Sequence, residues 1–189
     1  MGKVLLIIFS IFLSINARSE ILINLGTNIS SLSTKELREN KTVSNGTSQL
    51  LGISYLLDKR YAIGLEQSSK KHKVAIEHDG EDGEIHYNVQ DFGLSGTVFL
   101  GNFYLHGSYG KSEVSEKLEI ELTSANKNIV KDLYNIRDSV LSRTYAKVGL
   151  GYQLFSLRNF YFSIGYQVQK ILDDSHSISE YGLELVINI

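Results

Sequence analysis

Phe160-Tyr161-Phe162-Ser163-Ile164-Gly165-Tyr166-Gln167-Val168-Gln169 alternates without a break. In an extended chain Phe160, Phe162, Ile164, Tyr166 and Val168 share one face, while Tyr161, Ser163, Gly165, Gln167 and Gln169 share the other. A strand with one apolar face and one face of glycine, serine and amides suits two kinds of closed sheet. A soluble barrel turns the apolar face inward, and a membrane barrel turns it outward.

The pattern recurs along the chain. Tyr181, Leu183, Leu185, Ile187 and Ile189 oppose Gly182, Glu184, Val186 and Asn188. Ala146, Val148, Leu150, Tyr152 and Leu154 oppose Arg143, Tyr145, Lys147, Gly149, Gly151 and Gln153. Tyr61, Ile63 and Leu65 oppose Ala62, Gly64 and Glu66. Eight candidate strands follow, at 21–31, 47–57, 61–77, 84–100, 103–114, 142–155, 160–170 and 179–189. Each has room for the ~9–11 residues that carry a tilted strand across the hydrocarbon. The short connections, Asp58-Lys59-Arg60, Gly101-Asn102 and Ser156 to Asn159, hold turn-forming residues. They alternate with long ones at 32–46, 78–83, 115–141 and 171–178, which antiparallel strands would place on one side of a membrane.

The composition narrows the choice. Proline is absent, as a closed barrel of central strands requires. Cysteine is absent too, against a small disulfide-stapled secreted domain. Tryptophan is missing from the Leu25-Gly26-Thr27 region, where a lipocalin would carry it. Lys3, the apolar run Val4 to Leu13 and the small and polar residues ending in Ala17 follow the grammar of a signal peptide. The expected organisation is a leader at 1–17, cleaved after Ala17, and one barrel domain at 18–189. Losing Lys3 with the leader takes Lys and Arg from 19 to 18 against 21 Asp and Glu, a net charge of −3. No basic surplus suggests nucleic acid.

Glycine and serine on the polar face alternate with isolated Glu66, His106, Arg143, Lys147, Gln167 and Glu184. Such a face fits the crowded lumen of a narrow barrel. The fold expected is therefore all-β: an eight-stranded antiparallel up-and-down transmembrane barrel with short periplasmic turns and longer outward loops. Those six residues are the candidate lumen network. Opposite charges inside must pair, because a lone buried charge is costly, so they either close the lumen or line a narrow gated path.

Tyr55, Tyr61, Phe99, Phe103, Tyr104, Tyr152, Phe155, Phe160, Tyr161 and Phe162 all lie near short turns, as an interfacial girdle would. The fourth strand breaks phase, with Ile85, Tyr87 and Val89 on one face but Phe92, Leu94, Gly96 and Val98 on the other. A bulge near Gln90 or Asp91 is expected to repair it, and the 69–89 region is expected to project as a hairpin. Ile129, Leu133, Ile136 and Val140 are spaced for a short amphipathic helix, with Ser124 or Asn126 as its cap. That helix either covers the barrel mouth, lies on headgroups, or is a folded loop without further duty.

Leader, strand count, loop asymmetry and a last strand beginning Glu180-Tyr181-Gly182 together resemble the small eight-stranded Gram-negative outer-membrane barrels, the OmpA transmembrane-domain and OmpX-like group. The resemblance covers essentially all of the mature chain. Members commonly end in an aromatic residue, whereas this sequence ends Leu185-Val186-Ile187-Asn188-Ile189. The resemblance implies an outer-membrane location reached through the barrel-assembly machinery, contact with outer-membrane lipid and lipopolysaccharide, and a monomer.

Three motifs remain. His106-Gly107-Ser108, with Glu113 and Glu116 beyond, faintly resembles the His-x-Ser of outer-membrane lipid A deacylases. The expected register turns both groups to the lumen, away from lipid. His78-Asp79-Gly80-Glu81-Asp82-Gly83-Glu84 is either a solvated turn or an oxygen-rich cation site. Lys70-Lys71-His72-Lys73 either solvates a rising strand or meets anionic headgroups. No catalytic residue, metal or cofactor is assigned. The expected role is structural or surface-interactive, through an external surface or protein ligand. A lipid-modifying enzyme, a small pore and a soluble barrel with an apolar ligand are the alternatives.

Overall fold

The computed structural model describes residues 20–39, 44–57, 59–78, 81–120, 124–134, 136, 139–157, 159–172 and 176–189. The expected leader, 1–17, lies outside them. Strands β1 (Glu20–Ser33), β2 (Asn45–Leu57), β3 (Tyr61–His78), β4 (Glu81–Leu100), β5 (Phe103–Ile120), β6 (Leu141–Leu157), β7 (Phe160–Leu172) and β8 (Ser177–Asn188) each pair antiparallel with the next. β8 returns to β1 and closes the barrel. Reciprocal backbone bonds between Ile21 and Ile189, at 3.1 and 2.9 Å, extend that seam to the last residue. Two short helices, α1 (Lys35–Glu39) and α2 (Ser124–Leu133), follow β1 and β5.

The register fixes the width. Pairing followed from Tyr61 through Val98, Leu105, Leu150, Tyr166, Tyr181, Ile29 and Thr47 returns to β3 at Lys71, ten residues above its start. This stagger tilts the strands, and an eight-stranded barrel has an interior that side chains alone can fill. Tight turns sit at one end. Gly101 adopts φ +70 in the two-residue link from Leu100 to Phe103, a conformation that glycine takes without strain.

Around the whole wall, Ile53, Leu94, Leu105, Val148, Ile164 and Leu183 face outward and are exposed, Leu94 to 65%. A water-facing surface rarely carries so continuous an apolar band, whereas hydrocarbon requires one. No helix among the described residues is long and apolar enough to cross a membrane. The crossing is made by strands, whose closed pairing satisfies the backbone.

Aromatic residues mark both edges of the band. Tyr61, Phe103, Tyr152, Phe155 and Phe160 are exposed at the turn end. Three of the expected girdle residues are not part of it, because they occupy inward positions. Tyr104 is buried, and Phe99 and Tyr161 pack on Leu22, Ala62 and Val186 to floor the lumen. The opposite edge carries Phe92, Tyr109, Tyr166 and Tyr181, a second rim absent from the sequence expectation.

The bulge expected at Gln90 or Asp91 does not form. Gln90 pairs with Ser69 and Glu113, and Asp91 with Ser68 and Ser112, in unbroken register. Among the described pairs the register shifts between Gln153 and Phe155 instead. In β4, Ile85, Tyr87 and Val89 share the inward face with Asp91, Gly93 and Ser95. The phase of the chain is constant, and the solvent changes. Below Phe92 the wall meets lipid and its apolar side chains go out; above it the wall meets water and they go in.

The expected projecting hairpin is likewise part of a wall. β5 accompanies β4 as far as the pair Gly83 and Ile120, and β2 accompanies β3 as far as Asn45 and Lys73. The inner face of this extension forms an apolar core that includes Val74, Ile85, Tyr87, Val89, Val114 and Leu118. Leu32, Ile171 and Ile178 join it from β1, β7 and β8, and Leu37 of α1 and Val130 of α2 complete it. Helix α2 therefore covers the mouth. Its packed face is Val130, with Ile136 just beyond the helix, while Ile129, Leu133 and Val140 of the expected stripe are exposed. The side chains of Ser124 and Asn126, the expected caps, lie outside the described ones.

Candidate functional site

Within the lipid band the lumen is filled by hydrogen-bonded polar groups in three tiers. Strands point alternate residues inward, so each tier gathers side chains from distant parts of the sequence.

The lowest tier stands on the aromatic floor. Glu184 of β8 accepts hydrogen bonds from Gln167 Nε2 (2.8 Å) and from the Tyr104 hydroxyl (3.1 Å), and Ser163 lies 3.3 Å from that hydroxyl. Space for the Tyr104 ring comes from Gly151 directly across on β6.

Glu66 of β3 centres the middle tier. Lys147 Nζ lies 2.5 Å from its Oε1, His106 Nε2 2.8 Å from its Oε2, and Ser108 Oγ donates to Oε1 at 2.7 Å. The Tyr145 hydroxyl approaches at 3.4 Å, and Thr97 Oγ1 lies 3.0 Å from the other ring nitrogen of His106. Both Glu66 and Lys147 are buried.

The upper tier is built on Lys70, which is 0% exposed and paired with Asp91. Glu180 lies 3.9 Å from Lys70 Nζ. Ser68 accepts from Lys70 at 2.7 Å and donates to Asp91 at 2.8 Å, and Gln169 donates to Asp91 at 3.1 Å. Above it, outside the lipid band, His72 is buried with Nε2 3.5 Å from Ser30 Oγ. Burial, aided by the Lys70 charge, pushes the His72 pKa down to about 4. Further out, His176 lies 3.4 Å from Glu116, which stands on β5 between Val114 and Leu118 of the apolar core.

Five of the six sequence-picked residues thus fall into two tiers, Glu66, His106 and Lys147 in one and Gln167 and Glu184 in the other. Arg143 joins neither. It faces inward above Tyr145, reaches the Ser142 carbonyl at 3.4 Å, and keeps a buried Nε without a hydrogen-bond partner. The Lys70, Asp91 and Glu180 tier is missing from the sequence selection. Lys70 and His72 were hidden in a basic run whose alternate members, Lys71 and Lys73, face out. Strict parity from Glu66 through Ser68 to Lys70 was the available signal.

His106 and Ser108 both face the lumen, and both are committed to Glu66 rather than to one another. A nucleophile needs its base within hydrogen-bond reach and a path to its substrate. This geometry supplies instead a carboxylate held by four groups. Of the acidic tip, Asp79 and Gly80 and the side chains of His78, Glu81 and Asp82 lie outside those described. Among the described residues no cluster of His, Asp and Glu is placed to hold a metal.

Between the lowest two tiers lies a cavity of about 20 Å³ bordered by Asn24, Glu66, His106 and Glu184, room for one water.

An apolar band outside, a polar filling inside and a sheet closed on itself define a small eight-stranded transmembrane barrel. No family model matches the chain, and no curated protein matches it. Among solved structures it is similar to Ail, the attachment invasion locus protein of Yersinia pestis, at 14% identity over 92% of this chain and 100% of that one, with a TM-score of 0.55. The same protein in complex with the heparin analogue sucrose octasulfate matches at 14% identity over the same shares, with a TM-score of 0.53. Neisserial surface protein A matches at 10% identity over 89% of this chain and 97% of that one, with a TM-score of 0.57. The shared property is the fold of small outer-membrane barrels.

Proposed function

We propose that this chain is a Gram-negative outer-membrane protein with a structural or surface-interaction role. The leader at 1–17 delivers it, the barrel-assembly machinery inserts it as a monomer, and its tight turns remain in the periplasm. Its lumen is a filled scaffold. The wall above the lipid band, stiffened by its own apolar core, presents the outer loops to an external surface or protein ligand.

The observation that carries this reading is the change of the inward face from polar to apolar between Asp91 and Val89 on one unbroken strand. A pore needs a wetted path through that level. Here the tiers give way to side chains that exclude water, among them Val89, Tyr87 and Ile85. A soluble ligand-binding barrel would need the opposite arrangement in its lower half, where instead Leu94 and its neighbours face out.

The test is reconstitution into planar bilayers, with heat-dependent gel migration as proof of folding. A folded barrel without unitary conductance supports the closed scaffold. Steady single-channel steps from folded protein would overturn it.

A further inference from the structure

One sector of the lipid-facing wall departs from the rest. On β1, β2 and β3 the outward residues near the outer edge of the band include Thr27, Gln49, Gln67 and Ser69, with the exposed Ile29 one step beyond Thr27. Thr27 pairs with Gln49 and Gln49 with Ser69, so three of them form a row across three strands, with Gln67 beside it. Elsewhere this edge carries Phe92, Tyr109, Tyr166 and Tyr181. A groove of about 680 Å³ runs past the four polar residues and down the wall between Leu25 and Leu183. It is polar at its outer end and aliphatic toward mid-membrane.

Amides and hydroxyls at this lipid-facing edge call for hydrogen-bond partners. Lys71, the next outward residue of β3, pairs with Thr47 one step further out. The polarity gradient fits an amphiphile lying along the groove. Two primary amides and two hydroxyls both donate and accept. They match a head bearing hydroxyls and amide-linked acyl chains better than the ester carbonyls of a glycerophospholipid, which only accept. The exposed Lys71, next outward on β3 from Ser69, offers an ammonium to a phosphate on that head.

We propose that this groove binds one molecule of a phosphorylated, acylated amino-sugar lipid of the outer leaflet. An acyl chain follows Leu25 and Leu183, and the head rests on Gln49, Gln67, Thr27 and Ser69. The proposal rests on the outer-membrane placement above, with β3 rising toward the outer leaflet.

The experiment offers purified barrel in mixed micelles lipid A or phosphatidylethanolamine at equal mole fraction, with lipid retention read by native mass spectrometry. The variant is Gln49→Leu with Gln67→Leu, and Ala146→Leu on the far wall is the control. Removing two hydrogen-bonding groups is expected to weaken lipid A retention about tenfold. Phosphatidylethanolamine should be held weakly and equally by all three proteins. Equal retention of the two lipids, unchanged lipid A retention in the double variant, or a protein dimer lost on the same substitutions would each overturn the proposal. A barrel that shows no heat-dependent shift in any bilayer would overturn the membrane placement itself, and the lipid site with it. All three proteins shifting on gels while lipid A binding fails would overturn the lipid site alone.

Discussion

Tyr104 fills the space that a side chain on Gly151 would need: a Cβ on Gly151 would stand 2.1 Å from Tyr104 Cζ. The two residues are direct cross-strand partners on β5 and β6. The ring thereby lies flat enough against the wall for its hydroxyl to reach Glu184. Gly151→Ala is therefore expected to cost about 1–3 kcal/mol, as overpacking does. Tyr104→Leu should relieve most of that cost in the double variant. Urea unfolding in lipid vesicles, followed by gel migration, measures both.

The middle tier makes a sharper demand. With Lys147 buried against Glu66, Glu66→Ala leaves an uncompensated charge in the lumen, and about 3–5 kcal/mol of stability should be lost. Replacing both partners with apolar residues, Glu66→Leu with Lys147→Met, should recover part of it, since Ser108, His106 and Tyr145 still lose their shared acceptor. Similar unfolding midpoints for the single and double variants would show that the pair is not what sets the energy of the tier.

Much of this architecture is legible in the sequence because parity along a strand is a geometric certainty. Glu66, Lys147, Gln167 and Glu184 each fall on the polar side of their own strand's alternation. What parity does not contain is which solvent lies outside the wall. The basic run 70–73 looks like a solvated stretch, yet Lys70 and His72 are buried and Lys71 and Lys73 are not. The fourth strand looks out of phase for the same reason. The identity of the tier partners also escapes the sequence: Asp91 is a diagonal neighbour of Lys70 on the adjacent strand, but Glu180 of β8 reaches it only because the barrel closes. The helix face escapes it as well: the stripe at 129, 133 and 140 satisfies helical spacing, but the core beneath selects Val130.

The constant phase of β4 can be tested directly, because the chain has no native cysteine. Val89→Cys should resist a water-soluble maleimide on whole cells, since Val89 is sealed in the outer core. Gln90→Cys should react readily. Phe92→Cys, 58% exposed but on the lipid face, should react only with a lipid-soluble reagent. A bulge would exchange the first two results.

His72 makes the outer wall acid-sensitive. Its ring sits buried on β3, one inward position above Lys70, and its folded pKa of about 4 lies below the ordinary histidine value of 6.5. Above pH 6.5 the ring is neutral in both states and contributes nothing to pH dependence. As pH falls from 6.5 toward 4, the unfolded chain takes up a proton that the folded barrel refuses, so stability falls through that window. Below about 4 both states are protonated and the loss is complete. His72→Gln should flatten this limb of a plot of unfolding midpoint against pH. A limb of unchanged depth in the variant would assign the sensitivity to another buried group, with His176 beside Glu116 the next to replace.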